Sequence, residues 1–261
     1  MDAAGEDSMV LAGERDPVSN GGPALVEARI VGSGSALQRM PWARAAHEVV
    51  LEELASVRAF PVQRGRRIAP GWWWSASTGR LVHYGFGAMR TQVMLLDHDP
   101  QVVALACSPV ELAWLGEDDA VAVHAPHLMA RLRDGSGLLV DCVGSGGVPT
   151  RLADRAAAMA SAARAVGWDY RITRPPDPVL AANVRWLSGY RHPRHGGRTA
   201  VERVAGLFAQ PRPLVEGVRE LGEPIAAWPV VFHALWSGVI SAPLDHPLHE
   251  RTVATTTVAA G

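Results

Sequence analysis

The sequence predicts an α/β protein, helices packed on one mixed sheet, followed by a smaller module of helices and a hairpin. Three observations predict it. A helical pattern precedes a run of short apolar segments bounded by turn residues; an Ala-rich helix and one more strand close that run; after Pro175-Pro176-Asp177-Pro178 the pattern becomes short helices ending in two strand-like segments. At 261 residues, 48% hydrophobic and 20% charged, the chain has ordinary globular composition, enough for one large domain or two small ones.

Residues 1–38 are rich in Gly, Ala, Ser and Asp without apolar periodicity, and are expected to form a disordered leader. From Pro41, the apolar residues Trp42, Ala45, Ala46, Val49, Val50, Leu54 and Val57 recur at helical spacing, predicting a helix of about four turns. Phe60 to Arg80 is punctuated by Pro and Gly and reads as a structured loop. Leu81–Tyr84 is a short strand and Ala88–Leu96 a helix closed by Asp97-His98-Asp99-Pro100. Apolar runs at 101–108, 110–115, 121–124, 128–133 and 138–143 form a meander, the last two joined by the hairpin signal Asp134-Gly135-Ser136-Gly137. Arg151–Val166 is a crossover helix ended by Gly167, and Trp168–Thr173 returns as a strand. Beyond the Pro-rich break, 179–189 is helical and 190–198 is a polar link. Helices at 201–210, 214–221 and 224–236 follow, then strands at 239–242 and 252–258, the plan of a winged helix.

Net charge is −1, so contact with nucleic acid has to come from a local patch. All 25 basic residues are arginine, which excludes any lysine chemistry. Cys107 and Cys142 are expected to be buried thiols without a disulfide. The acidic start and the lack of any run near the roughly 20 apolar residues of a membrane span lead to the expectation of a cytoplasmic protein with no membrane contact.

A set of blocks, in order along residues 38–258, resembles a known family. They are Arg58-Ala59-Phe60-Pro61-Val62 with Arg64-Gly65, Pro70-Gly71-Trp72-Trp73-Trp74-Ser75, Leu95-Leu96-Asp97 with Asp99-Pro100, His124-Ala125-Pro126, Val140-Asp141, Ala182-Asn183-Val184-Arg185-Trp186-Leu187 and Tyr190-Arg191-His192. Together they are similar to the actinobacterial TnsA-like endonuclease subunits of heteromeric transposases. The resemblance implies a restriction-endonuclease-like (PD-(D/E)xK) domain, placed here over 39–190, and a C-terminal domain used for DNA or partner contacts, which corresponds to the winged-helix-like plan read over 199–261. It also implies DNA cleavage at transposon ends, with a separate transposase subunit and an ATP-dependent regulator as partners.

Phosphodiester hydrolysis of that type needs hard cations, Mg2+ or Mn2+, held by oxygen ligands. The family pattern supplies a Glu from the first helix, an Asp after a Pro, and a third acid two residues before a base, a spacing that puts acid and base on one sheet face. This chain departs from it. Tyr84 to Met89 contains no acid, His127 stands after Pro126 where the Asp is expected, and Val143 replaces the base after Asp141. Asp141 alone matches, so it is the candidate catalytic residue, and Asp141 with His127 the candidate metal ligands. His124 and His127, three apart on a strand-like run, are expected to face opposite ways. The resemblance therefore leaves two readings open, a nicking subunit with a largely substituted site and an inactive adaptor that binds DNA and a transposase or ATPase.

The candidate DNA contacts are Arg64, Arg66, Arg67, Arg80 and Arg90, with Trp72 to Trp74 beside them. Against this, at least two of the three tryptophans are expected to be core anchors. Asp97 and Asp99 before Pro100 are expected to bond backbone amides in a turn.

Overall fold

The computed structural model describes residues 26–32, 36–61, 69–116 and 120–257. It is a mixed α/β structure with two four-stranded sheets where the sequence suggests one. The first begins inside the stretch expected to be disordered: β1 (Val26–Val31) pairs antiparallel with β2 (Leu37–Pro41). Strand β1 takes one partner nearby and one far along the chain, with Ala28 opposite both Met40 and Leu112 of a later strand, and the distant pairing leaves no local apolar pattern.

Helix α1 (Trp42–Glu48) is less than half its expected length. Val49 turns extended, a 3-10 turn covers Leu51–Glu53, Ala55 bridges Val31, and the Val57 amide donates to Ser108 O at 2.9 Å. The β-branched pair Val49-Val50 weakens the helix there, and pairing with neighbouring strands takes the backbone instead. The Trp run is also a strand rather than a loop: β3 (Gly71–Trp74) pairs with β4 (Leu81–Tyr84).

Helix α2 (Gly87–His98) leads into β5 (Val102–Cys107), β6 (Glu111–Leu115), β7 (Val121–His124), β8 (Leu128–Leu132) and β9 (Gly137–Cys142). Helix α3 (Thr150–Ala165) crosses over to β10 (Asp169–Thr173), which runs parallel to β9. Gly167, at φ +73°, lets the chain leave α3 in the left-handed conformation. The sheets are ordered β2-β1-β6-β7 and β10-β9-β8-β5.

Strand alternation then sorts β8 and β9. Leu128, Ala130, Leu138 and Val140 join one apolar cluster with α2, whereas Met129 and Leu139 join another with Ile30, Leu112, Trp42 and Met159 of α3. Asp141 is two residues beyond Leu139 and so faces the second cluster, as does His124, which sits opposite Leu112.

The chain continues with α4 (Pro178–Leu187), α5 (Arg198–Leu207), β11 (Arg212–Pro213), α6 (Leu214–Leu221), α7 (Pro224–Trp236), β12 (Ile240–Ser241) and β13 (Val253–Thr256). The last three strands form a small sheet ordered β11-β13-β12. Its helices share the first apolar cluster: Phe208, Leu235 and Trp236 pack in the same body as Leu95 and Leu105. In the link, Arg191 donates to Trp74 O at 2.8 Å and stacks 4.2 Å over the Trp73 ring, so this arginine is turned inward. No helix among the described residues is long and apolar enough to cross a membrane.

Candidate functional site

Asp141, fully buried near the end of β9, gathers polar groups from three other segments. Its Oδ2 lies 2.6 Å from His124 Nε2 and accepts from the Tyr170 hydroxyl at 2.9 Å. Its Oδ1 accepts from the His127 amide at 3.3 Å and lies 3.0 Å from His127 Nδ1. That ring nitrogen also receives the Cys142 amide at 2.9 Å. One nitrogen holds one proton or one lone pair, so it either accepts from the Cys142 amide or donates to Asp141. The tautomer that carries its proton on Nε2 satisfies the buried Cys142 amide.

Burial raises the Asp141 pKa, but the hydrogen bonds and charge of His124 and His127 outweigh it and hold the carboxyl well below its usual range. Burial and the charge of Asp141 push the Tyr170 hydroxyl up, which keeps it a donor. The two imidazoles meet one carboxylate because β7 ends at His124 and Ala125-Pro126 turns the chain, breaking the strand alternation on which opposite faces were expected.

Beside this knot lies a cleft of about 460 Å³. His124, His127 and Phe86 line it together with Arg58, Arg151 and Arg155; the carboxylate of Asp141 does not, since the histidines stand between. Arg151 and Arg155 are four residues apart on one face of α3. Helix α3 opens at Pro149 with neither a capping side chain nor an acid in its first turn, so its positive pole adds to theirs. Burial first, then the charges of Arg151 and Arg58, lower the Arg155 pKa. Among the described residues none of these three guanidinium groups forms a salt bridge, although the charge of Asp154 acts weakly on Arg155.

The metal expected from the resemblance meets a poor set of donors. A hard divalent cation needs several oxygen ligands, and both oxygens of Asp141 are already engaged behind the imidazoles. Among the described residues no group of three His, Cys, Asp or Glu side chains is arranged to hold a metal ion.

Asp141 and His127 lie side by side, in a hydrogen-bonded knot. Of the candidate DNA contacts, Arg64, Arg66 and Arg67 lie outside the described residues. Arg80 is exposed at the β3–β4 turn and donates to Glu52 O at 3.0 Å, and Arg90 is exposed on α2; neither lines the cleft. Arg58, Arg151 and Arg155 take that place. The spacing of Arg151 and Arg155 on a helix entered directly after Asp141's strand is the signal that could have found them. Of the tryptophans, Trp73 is a core anchor, whereas Trp72 is 64% exposed and Trp74 half-buried. Asp99 Oδ1 takes the Gln101 amide at 2.8 Å, and Asp97 accepts the amides of Ala76 and Ser77 at 3.0 Å each.

Neither the known protein-family models nor the curated proteins give a match to this chain.

Proposed function

We propose that this protein is a TnsA-like subunit of a heteromeric transposase, with a restriction-endonuclease-like core, that holds duplex DNA in the Arg58–Arg151–Arg155 cleft and does not itself hydrolyse it. The observation that carries the reading is the division of charge at the cleft: three guanidinium groups line it without a salt-bridge partner among the described residues, and the one carboxylate at the family's catalytic position is withdrawn behind two imidazoles. Guanidinium groups and a helix N-terminus suit phosphate oxygens. With no carboxylate among the described residues that line the cleft, the same phosphates are bound but not activated.

The C-terminal elements support a winged-helix-like module: helix, short strand, two helices and two strands, with the short strand paired to the last. In this reading the module meets the partners, a transposase subunit and an ATP-dependent regulator, and cleavage falls to the partner complex.

Duplex binding tests the proposal. Replacing Arg151 and Arg155 together by Ala should weaken binding to a DNA duplex and reduce the slope of log affinity against log salt by roughly one per arginine removed. An unchanged slope and affinity would show that the phosphates bind elsewhere.

A further inference from the structure

The hairpin β3–β4 presents its second face to solvent in a way that neither the cleft nor the fold explains. Alternation sends Trp73 and Val82 inward, where both are buried. The same alternation sends Trp72, Trp74, Leu81 and His83 outward, since Trp72 pairs with His83 and Trp74 with Leu81 across the strands. An outer sheet face in water is normally polar. Here it carries two indoles, an imidazole and a leucine, with Trp72 64% and Leu81 59% exposed.

The rings form a row. Trp72 and His83 have centroids 4.8 Å apart at 39°, Phe60 meets His83 edge-on at 5.5 Å, and Trp74 lies 4.7 Å from His192 at 31°. Burial lowers the His83 pKa, which disfavours a positive charge at the centre of the row. Arg80 is exposed at the adjoining hairpin turn, the Arg191 guanidinium lies 6.0 Å from the Trp74 ring, and Arg58, two residues before Phe60, lines the neighbouring cleft.

The row also begins where the cleft ends. Phe60 packs against Gly85 so closely that a Cβ there would run into its ring, and the next residue, Phe86, lines the cleft and meets His127 edge-on at 5.0 Å.

We propose that this face is a stacking shelf for the unpaired bases of single-stranded nucleic acid. The chemistry selects that occupant. Every base has a π face and every nucleotide a phosphate, matching exposed indoles that adjoin an arginine-lined cleft. A duplex keeps its base faces stacked inside and offers the shelf nothing. The shelf goes beyond duplex holding by the cleft and stands or falls separately from it.

The test is fluorescence anisotropy with labelled oligothymidylate and, in parallel, a labelled duplex, on the full chain. Trp72 is exposed, so its replacement leaves the core intact. Trp72→Ala should weaken oligothymidylate binding about tenfold, the loss of one stacked base, and leave duplex binding unchanged. Trp72→Phe, which keeps a ring, should restore most of it, and Trp72→Leu should not. The shelf is refuted if Trp72→Ala binds oligothymidylate like the wild type, or if the wild type binds the duplex alone. Equal rescue by Leu and Phe also refutes it, because it makes the face a docking site for an apolar protein surface. Loss of duplex binding in the arginine variants with the Trp72 effect intact would leave both readings standing on their own evidence.

Discussion

Asp97 and Asp141 are both buried carboxylates surrounded by donors, yet they do opposite things. Asp97 accepts from the Trp73 indole at 2.8 Å, the Ser75 hydroxyl at 2.6 Å, the amides of Ala76 and Ser77, and the Ser77 hydroxyl at 3.0 Å. Most of these donors belong to one short loop, and none of them titrates in the ordinary range. Asp97 therefore ties residues 73–77 to the end of α2 as a permanent clasp. Asp141 takes its donors from β7, the turn after it and β10, and two of them are imidazoles. The lesson concerns what surrounds a carboxylate. Neutral, local donors build structure, whereas two imidazoles at the rim of a cleft hold the carboxyl they surround well below its usual range.

Removing the clasp should have the largest effect. Asp97→Ala strands an indole, two hydroxyls and two amides at once, and urea melts should show a loss of about 4 kcal/mol. Asp141→Asn should cost less, about 3 kcal/mol, because the amide keeps an oxygen for Tyr170.

The acid limb sharpens the contrast. The folded pKa of Asp141 is depressed, so its contribution is fully present above the ordinary carboxylate pKa of about 4 and is lost as pH falls through the folded value. Stability of the wild type should therefore fall more steeply with acidification than that of Asp141→Asn, measured by urea midpoints at successive pH values. Equal slopes would mean that Asp141 is not the buried anion described here.

Single donors come next. Tyr170→Phe removes one of the hydroxyl and imidazole donors to Asp141 and should cost about 1.5 kcal/mol. Ser77→Ala leaves Asp97 its amides and the Ser75 hydroxyl and should cost under about 1 kcal/mol. The smallest effect concerns the thiols. Burial raises Cys107 to about 11 and Cys142 further, so neither should react with a thiol reagent at neutral pH until denaturant opens the protein.

The sequence reveals these regions unequally. Helix α7 is legible because Pro224 stands at its first turn and its apolar residues are continuous, and the β8–β9 hairpin because Gly135 takes φ +85° where the turn residues predict it. Strand β1 is not legible, because its stabilising partner β6 lies far along the chain. The shortness of α1 is hidden for a related reason: helical spacing continues through Val57, but strand pairing at Ala55 and Val57 wins. In the candidate site, Asp141 and His127 stand out by their place among the family-like blocks. The approach of His124 to the same carboxylate does not, because it depends on a turn at Pro126, and Arg58 reaches the cleft from a segment distant in sequence.

Incubating supercoiled plasmid with the purified chain in Mg2+ or Mn2+ tests the central claim most directly. The account predicts that the plasmid is bound and stays supercoiled, for the wild type and for Asp141→Ala alike. Metal-dependent nicking by the wild type that disappears in Asp141→Ala would contradict it.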